Sequence, residues 1–184
     1  MPDGGYKIRD QNAVHYVTFS VVEWVDVFSR ADYRHILLDH IRKSQQDGGL
    51  SLHAWVLMTN HFHSVMSAKE GFALSDILRE IKKYSAINII KAIQKHDKES
   101  RQTWMLDIFS QAGNENVRNT SNQFWIQDNH PKHCYSREFT EQKINYIHLN
   151  PVRAEIVSRP EDYLFSSAID YTGAKGLLDI EFLW

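Results

Sequence analysis

The sequence is poor in cysteine and contains no long hydrophobic run. Cys134 is the single cysteine among 184 residues, which excludes an intrachain disulfide and a zinc site built from several cysteines. No apolar stretch approaches the length that a membrane helix needs, and the first residues lack the apolar core of a signal peptide. We therefore expect a cytoplasmic protein with no membrane segment.

The sequence also lacks an excess of positive charge. Its 21 Lys and Arg against 23 Asp and Glu give a formal net charge of -2, and its isoelectric point is about 6.5. This balance argues against a strongly basic protein that coats nucleic acid indiscriminately. Any nucleic-acid site must therefore be a local patch of cations.

Hydrophobic residues are plentiful. They make up 42% of the chain, with five Trp, eight Tyr and nine Phe. A chain of this length and composition is sufficient for one hydrophobic core. We predict a single domain that covers residues 1–184.

The hydrophobic pattern predicts strands and helices in a recognisable order. The predicted strands are 14–24, 50–58, 62–67 and 123–128, and the predicted helices are 30–46, 74–95 and 138–150. Ser75 is the expected cap of the second helix, and Pro151 is the expected stop of the third. This order is typical of the α+β, ferredoxin-like βαββαβ fold, with a four-stranded antiparallel sheet, two helices on one face and the other face free for a ligand. A C-terminal tyrosine-bearing helix and a tail follow.

Three segments lie outside the predicted strands and helices. Residues 96–122 are polar and poorly periodic, which predicts an insertion or a mobile loop. Residues 130–133 are interpreted as a connection. The tail that includes 160–168 is expected to pack against the core.

Two histidines lie two residues apart in the strand that follows Asn60. Because strand side chains alternate between faces, His61 and His63 share one face and Phe62 turns to the other. Two adjacent imidazoles make half of a divalent metal site. A bare His-x-His is more often structural, so the interpretation depends on what completes the site.

A later helix offers the complement. Tyr146 and Asn150 are four residues apart, so both point to one side of that helix. A tyrosine beside a metal is a candidate nucleophile once a base or a polarised phosphate assists it. The simpler alternatives are that Tyr146 packs in the core and that Asn150 ends the helix before proline. His148 lies on a different side of the helix and ranks below Asn150 as a ligand.

Cations recur on the predicted helix 74–95 and near the C-terminus. They form a candidate phosphate-binding set consisting of Arg79, Lys82, Lys83, Lys91, Lys95, Lys132, Arg137 and Arg153. Such a stripe is more often only a solvated helix face. Among the aromatic residues, Tyr84 is expected to pack against the strands, whereas Trp104 and Trp125 are candidates for base stacking, with core packing favoured for Trp125.

Four blocks of sequence together resemble one known family, the REP-associated tyrosine transposases among the single-tyrosine HUH transposases. The blocks are AWVLMTNHFH at 54–63, QFW at 123–125, NYIHLNPVRA at 145–154 and DYLFSSA at 162–168. They stand in the family's order and span most of the chain. Two features depart from the family pattern, namely Thr59 before the Asn-His pair and the length of the 96–122 segment.

The resemblance implies the roles of the candidate residues. It makes His61 and His63 the metal pair, Asn150 a further metal ligand and Tyr146 the catalytic tyrosine. It implies cleavage of single-stranded DNA next to a hairpin, through a 5′-phosphotyrosine intermediate and with Mg²⁺ or Mn²⁺. It leaves open whether the chain works as a monomer or as a homodimer.

We therefore predict a metal-dependent DNA transposase that acts on single-stranded or hairpin DNA. A second hypothesis is a domesticated protein that binds hairpin DNA but no longer cuts it. A third is a metal-dependent hydrolase of small phosphoesters in which Tyr146 only packs. The presence of all the catalytic residue types favours the first.

Overall fold

The computed structural model describes residues 8–115, 122–127 and 131–184 of the chain. Its strands and helices are β1 (His15–Ser20), α1 (Ala31–Gln46), β2 (Leu50–Leu57), β3 (His61–Ala68), α2 (Leu74–Lys95), α3 (Gln102–Asn114), β4 (Lys132–His133) and α4 (Arg137–Arg153). Short 3-10 turns span Val22–Trp24, Val27–Ser29, Pro160–Asp162 and Asp170–Thr172. Among the described residues, no helix combines the length and the apolar character needed to cross a bilayer.

The four strands form one antiparallel sheet in the order β2-β3-β1-β4. The βαββαβ order, the antiparallel sheet and the α+β class are those predicted from the sequence, and the structure confirms them. The β2–β3 hairpin turns at Thr59 and Asn60, where the Met58 N–H donates to the His61 carbonyl oxygen at 2.9 Å. This tight turn sets which side chains of β3 point to each face of the sheet.

One face of the sheet carries the main hydrophobic core. Phe19 on β1 and Phe62 on β3 are paired and fully buried, with ring centroids 5.8 Å apart. Helices α1 and α2 pack together there through apolar side chains that include Leu37, Leu38, Ile41, Leu78, Ile81 and Ile89. Each such burial contributes about 1.5–3 kcal/mol relative to exposure, so this layer holds the sheet rigidly.

Helix α4 packs on the opposite face, over β2 and β3. Its buried side chains are Thr140, Ile144, Ile147, His148 and Pro151. The predicted stop at Pro151 is wrong, because the helix continues through Pro151 to Arg153. Proline cannot donate to the Ile147 carbonyl, and the helix goes on for only two residues beyond it. The Ile156 N–H then donates to the Pro151 carbonyl at 2.9 Å and closes the end.

The fourth strand differs from the prediction. Residues 124–126 make a single bridge, from Trp125 to Val21, and the regular pairing with β1 comes from Lys132–His133, for which the sequence predicts a connection. Phe124 and Trp125 are consecutive, yet they are only 2% and 4% exposed. A strand would send them to opposite faces, whereas here both enter the core beside Phe28. Asp128 and His130, at the ends of these two predicted segments, lie outside the described residues.

The 96–122 segment is in part a helix, Gln102–Asn114, which corrects the loop alternative of the prediction for these residues. Helix α3 packs against α2, and it buries Met105 and Phe109 completely. Phe109 contacts Phe124 with ring centroids 5.1 Å apart. The prediction also covered residues 116–121, which lie outside the described residues.

Two predictions about α2 are also wrong. The cap position is Ala73 rather than Ser75, and no side chain caps the helix start. Tyr84 is exposed on the surface and stacks beside His40, with ring centroids 6.5 Å apart. The buried stripe instead passes through Ile81 and Ser85, which places Tyr84 outside it.

Candidate functional site

His61 and His63 lie on the α4 side of the sheet. In the β1–β3 register, His61 is opposite Ser20 and His63 is opposite Thr18. Their ring centroids are 4.7 Å apart, and Phe62 between them enters the main core. Strand alternation thus presents the two imidazoles side by side from a rigid element.

Two hydroxyl groups hold the His63 ring. Its Nδ1 is 2.9 Å from the Tyr16 hydroxyl and 2.8 Å from Thr18 Oγ1, both on β1. The side chain is only 7% exposed. Burial lowers the pKa of His63 to about 3, and neighbouring His61 adds to this effect. His63 is therefore neutral at physiological pH, and its contacts at Nδ1 leave Nε2 as the nitrogen for a ligand.

The turn before β3 holds the His61 ring. Its Nδ1 is 2.7 Å from Asn60 Oδ1, so Nδ1 carries the proton and Nε2 carries the lone pair. Burial lowers the pKa of His61, while a hydrogen bond with the Asn150 side chain acts in the opposite direction. Asn150 of α4 therefore lies directly at the histidine pair.

Tyr146 projects from the edge of α4 toward the same place. Its ring centroid is 5.5 Å from that of His63 and 6.4 Å from that of Tyr16. The side chain is 39% exposed, so the phenol borders both the histidine pair and solvent. The Arg153 guanidinium lies over the Tyr146 ring, 5.2 Å from its centroid. This geometry differs from simple core packing.

An open groove of about 480 Å³ runs along α4 beside Tyr146. The lining residues are Glu138, Glu141, Gln142, Lys143, Asn145, Tyr146 and Arg153. The Lys143 ammonium lies 5.3 Å from the centre of the Tyr16 ring, on the same side of the sheet as Tyr146. Two cations, Lys143 and Arg153, therefore line the groove together with the carboxylates of Glu138 and Glu141.

The side chains at this site offer a limited set of metal donors. In the described parts of the chain, no three His, Cys, Asp or Glu side chains are grouped to hold an ion. What the site presents is two neutral imidazoles whose Nδ1 atoms are engaged, with an amide side chain next to them. Two nitrogens and one amide oxygen fit a divalent ion that keeps open positions for oxygen ligands of a substrate.

The cations predicted on α2 lie elsewhere. Lys82 donates to the Ile126 carbonyl at 2.7 Å and lies over the Phe19 ring, on the opposite sheet face from Tyr146. Arg79 pairs with Asp76, and Lys83 lies over the Tyr84 ring. Lys132 stands on the edge strand β4. Of the candidates Arg79, Lys82, Lys83, Lys132 and Arg153, the structure brings Arg153 into contact with Tyr146.

Sequence reasoning missed three residues of the site, namely Tyr16, Thr18 and Lys143. Tyr16 and Thr18 are two residues apart on β1, which places them on one face, but no local signal gives their pairing with His63.

Two further candidates from the sequence, Trp125 for base stacking and His148 as a ligand, are engaged in other contacts. Trp125 is buried and donates from Nε1 to Ser85 Oγ at 3.1 Å, and His148 is buried with its Nε2 2.9 Å from Ser167 Oγ.

Comparison with solved structures shows the same fold in one case. A REP-associated tyrosine transposase bound to a REP hairpin superposes with a TM-score of 0.65 at 17% identity, covering 95% of this chain and 93% of that one. A protein from Deinococcus radiodurans, provisionally identified as a transposase, gives a TM-score of 0.44 at 16% identity, covering 80% of this chain and 95% of its own. That second likeness is too weak to carry an argument.

Comparison at the sequence level identifies the family. No curated protein matches the chain significantly. The model of the IS200-like transposase family matches residues 12–122, a region that includes both histidines and ends before α4. Since this match covers more than half of the sequence, the chain belongs to the IS200-like transposase family.

Proposed function

We propose that this chain is a metal-dependent tyrosine nuclease and strand transferase that cuts single-stranded DNA beside a hairpin. The observation that carries the proposal is the position of Tyr146, whose ring lies 5.5 Å from that of His63 at the edge of an open groove. Membership of a transposase family supports DNA as the substrate. The structurally similar protein is described as bound to a REP hairpin, which supports a hairpin as the recognised form.

In the proposed reaction, the Tyr146 hydroxyl oxygen attacks the phosphorus of a phosphodiester. The new bond joins that oxygen to phosphorus, the bond to the 3′ oxygen breaks, and the phenolic proton leaves to solvent while the 3′ oxygen takes one up. The products are a 5′-phosphotyrosine and a free 3′-OH. Because a phosphodiester is retained, attack by a 3′-OH on the phosphotyrosine can rejoin strands without ATP.

His61, His63 and Asn150 would hold the divalent ion, Mg²⁺ or Mn²⁺. When bound, the ion supplies electrophilic polarisation of the phosphate oxygens. The protein's own part is to keep both imidazoles neutral and oriented, through Asn60 for His61 and through Tyr16 and Thr18 for His63. Arg153 and Lys143 would attract the phosphate to the groove.

The test is the detection of a covalent protein–DNA adduct. The full chain is incubated with single-stranded hairpin oligonucleotides and Mg²⁺ or Mn²⁺, and the products are separated on a denaturing gel. We expect a metal-dependent, slowly migrating band that Tyr146→Phe abolishes while hairpin binding persists. Tyr84→Phe is the matched control, because Tyr84 is also exposed but lies on α2; this variant should form the adduct normally.

Other outcomes would favour the alternatives. Hairpin binding with no adduct in any metal would indicate a binding protein that no longer cuts. Turnover of small phosphoesters without an adduct would indicate a hydrolase. An adduct that survives in Tyr146→Phe would rule out Tyr146 as the nucleophile.

A further inference from the structure

An exposed tryptophan lies beside the histidine pair. Trp24 ends the 3-10 turn that follows β1, and 59% of its surface is exposed. Its ring meets that of His61 edge to face, with centroids 6.2 Å apart and planes at 78°. Trp24, His61, His63 and Tyr146 thus form a row of neighbouring rings along the site.

The backbone that presents Trp24 is strained. Glu23 and Trp24 have positive φ angles of 50° and 54°, and among the described residues that are not glycine only Glu155 shares this feature. Such angles are unfavourable for a bulky side chain and tend to occur at functional sites. The local sequence places an indole in a conformation that glycine or asparagine would adopt more easily.

Hydrogen bonds tie this strained turn to the histidine pair. Asn60 Nδ2 donates to the Trp24 carbonyl at 3.1 Å, while Asn60 Oδ1 accepts from His61 Nδ1 at 2.7 Å. The Val21 N–H also donates to the Asn60 carbonyl at 2.9 Å. One asparagine therefore contacts both the His61 imidazole and the backbone of the turn that carries Trp24.

The exposure of Trp24 is not forced by a lack of apolar surroundings. Val22, Val25, Val27 and Phe28, from the same stretch of chain, are all buried. The indole instead remains in water beside residues that face a phosphate in the proposed reaction. An exposed aromatic face next to bound phosphates is the arrangement by which proteins stack unpaired bases.

We propose that Trp24 is a stacking site for an unpaired nucleobase close to the phosphate that Tyr146 attacks. The inference rests on the proposed function. It assigns the binding of one unpaired base to Trp24, which is neither a proposed metal ligand nor the proposed nucleophile. Stacking is tolerant of base identity, so this site would hold the strand in place while other contacts select the sequence.

The experiment measures binding of a fluorescein-labelled hairpin oligonucleotide with single-stranded flanks, by fluorescence anisotropy. All proteins carry Tyr146→Phe so that the DNA stays intact, and the protein with this change alone is the parent. Loss of one base stack corresponds to about a 5- to 150-fold weaker affinity. We expect that loss for Trp24→Leu and near-parent affinity for Trp24→Phe. Tyr84→Leu, which removes an exposed aromatic ring on α2, should bind like the parent.

A second set of probes locates the base. Each unpaired position of the oligonucleotide is replaced in turn by an abasic site. At one position the abasic probe should bind weakly to the parent and equally weakly to Trp24→Leu, because the stack is already missing. A constant difference between the two proteins at every position would overturn the stacking site.

Trp24→Gly separates a binding role from a structural one. Glycine adopts a positive φ without strain, so this variant should melt at the same temperature as the parent or higher, while it loses DNA affinity as Trp24→Leu does. A lower melting temperature with unchanged affinity would overturn the inference. Parent binding with no effect of Trp24→Leu would overturn this inference alone, whereas absence of any binding by the parent would overturn the proposed function as well.

Discussion

At the scale of single residues, the best-defined feature of the site is the His63 ring. Its Nδ1 meets two hydroxyl groups, from Tyr16 and Thr18, although a single N–H directs its proton mainly to one acceptor. Burial raises the pKa of Tyr16 to about 12, so its hydroxyl keeps its proton. Both hydroxyls stabilise the same ring orientation, each through its own contact with Nδ1.

We predict that Thr18→Val and Tyr16→Phe each weaken divalent metal binding by about tenfold, and that the double variant loses about 100-fold. The physical reason is loss of the contacts that orient His63 and fix its protonated nitrogen. Isothermal titration with Mn²⁺ measures this without any DNA. Thr103→Val, an exposed position on α3, is the matched control and should bind Mn²⁺ like the parent. Unchanged affinity in the double variant would contradict the role of these hydroxyls.

Local spacing accounts for part of the site. Alternation in a strand placed His61 and His63 together, and the four-residue spacing placed Tyr146 and Asn150 on one side of a helix. Tyr16 and Thr18 could not be assigned, because they are 47 and 45 residues from His63 and their contact depends on strand register. Arg79, Lys82 and Lys83 follow a regular helical spacing, but their face is directed away from the tyrosine.

At the scale of the elements, the C-terminal tail holds the tyrosine helix to the sheet. Ser167 accepts from the Trp55 N–H of β2 at 2.8 Å, and its hydroxyl is 2.9 Å from His148 Nε2 of α4. The Tyr163 hydroxyl donates to the Leu57 carbonyl at 2.8 Å. The buried Ser167 therefore links the tail to β2 and to α4. Its partner on α4, His148, is two residues from Tyr146.

We predict that Ser167→Ala lowers the free energy of unfolding by about 2–3 kcal/mol, because it leaves the buried Trp55 N–H and the His148 ring without this partner. Urea denaturation monitored by tryptophan fluorescence measures the loss. Ser158→Ala, at an exposed position in the same tail, should stay within about 0.5 kcal/mol of the parent. Equal stability of the two variants would contradict the linking role of Ser167.

The elements with strong periodicity were the ones that could be predicted. Helix α2 is found where its apolar spacing placed it, whereas α3 was missed because its buried residues, such as Met105 and Phe109, are interspersed with exposed apolar and polar ones. The true β4 has no sequence signal, since Lys132 and His133 are both exposed. The position of β4 is determined by pairing with the edge of β1, which is distant from it in the sequence.

At the scale of the whole molecule, six of the histidines in the described residues share one electrostatic property. Burial lowers the pKa of these six, which are His15, His40, His53, His61, His63 and His148. The pKa of His148 falls to about 4. As the pH falls below 6.5, the unfolded chain binds protons at these residues before the folded chain does. Their contribution to the free energy of unfolding is complete above pH 6.5. It is lost as the pH drops toward the lowered pKa values of the folded chain.

We predict that the metal-free protein is less stable at pH 5 than at pH 7, with about 2 kcal/mol of the loss arising from His148. Chemical denaturation at the two pH values in the presence of EDTA measures the difference. His148→Gln keeps a hydrogen-bonding group toward Ser167 but cannot titrate, so the pH dependence should shrink by that amount. An identical pH dependence in the variant would contradict the assignment.

The tail also changes what the sheet exposes to other molecules. Along the outer edge of β2, the Leu57 N–H donates to the Phe165 carbonyl, and the Trp55 and Leu52 carbonyls accept from Ser167 and Glu181. An uncovered strand edge is a template for pairing with further strands and for aggregation. Removing the residues after Arg159 would expose this edge, and the shortened protein should precipitate or associate edge to edge. Shortened forms of the protein made for crystallisation should therefore keep residues 160–184.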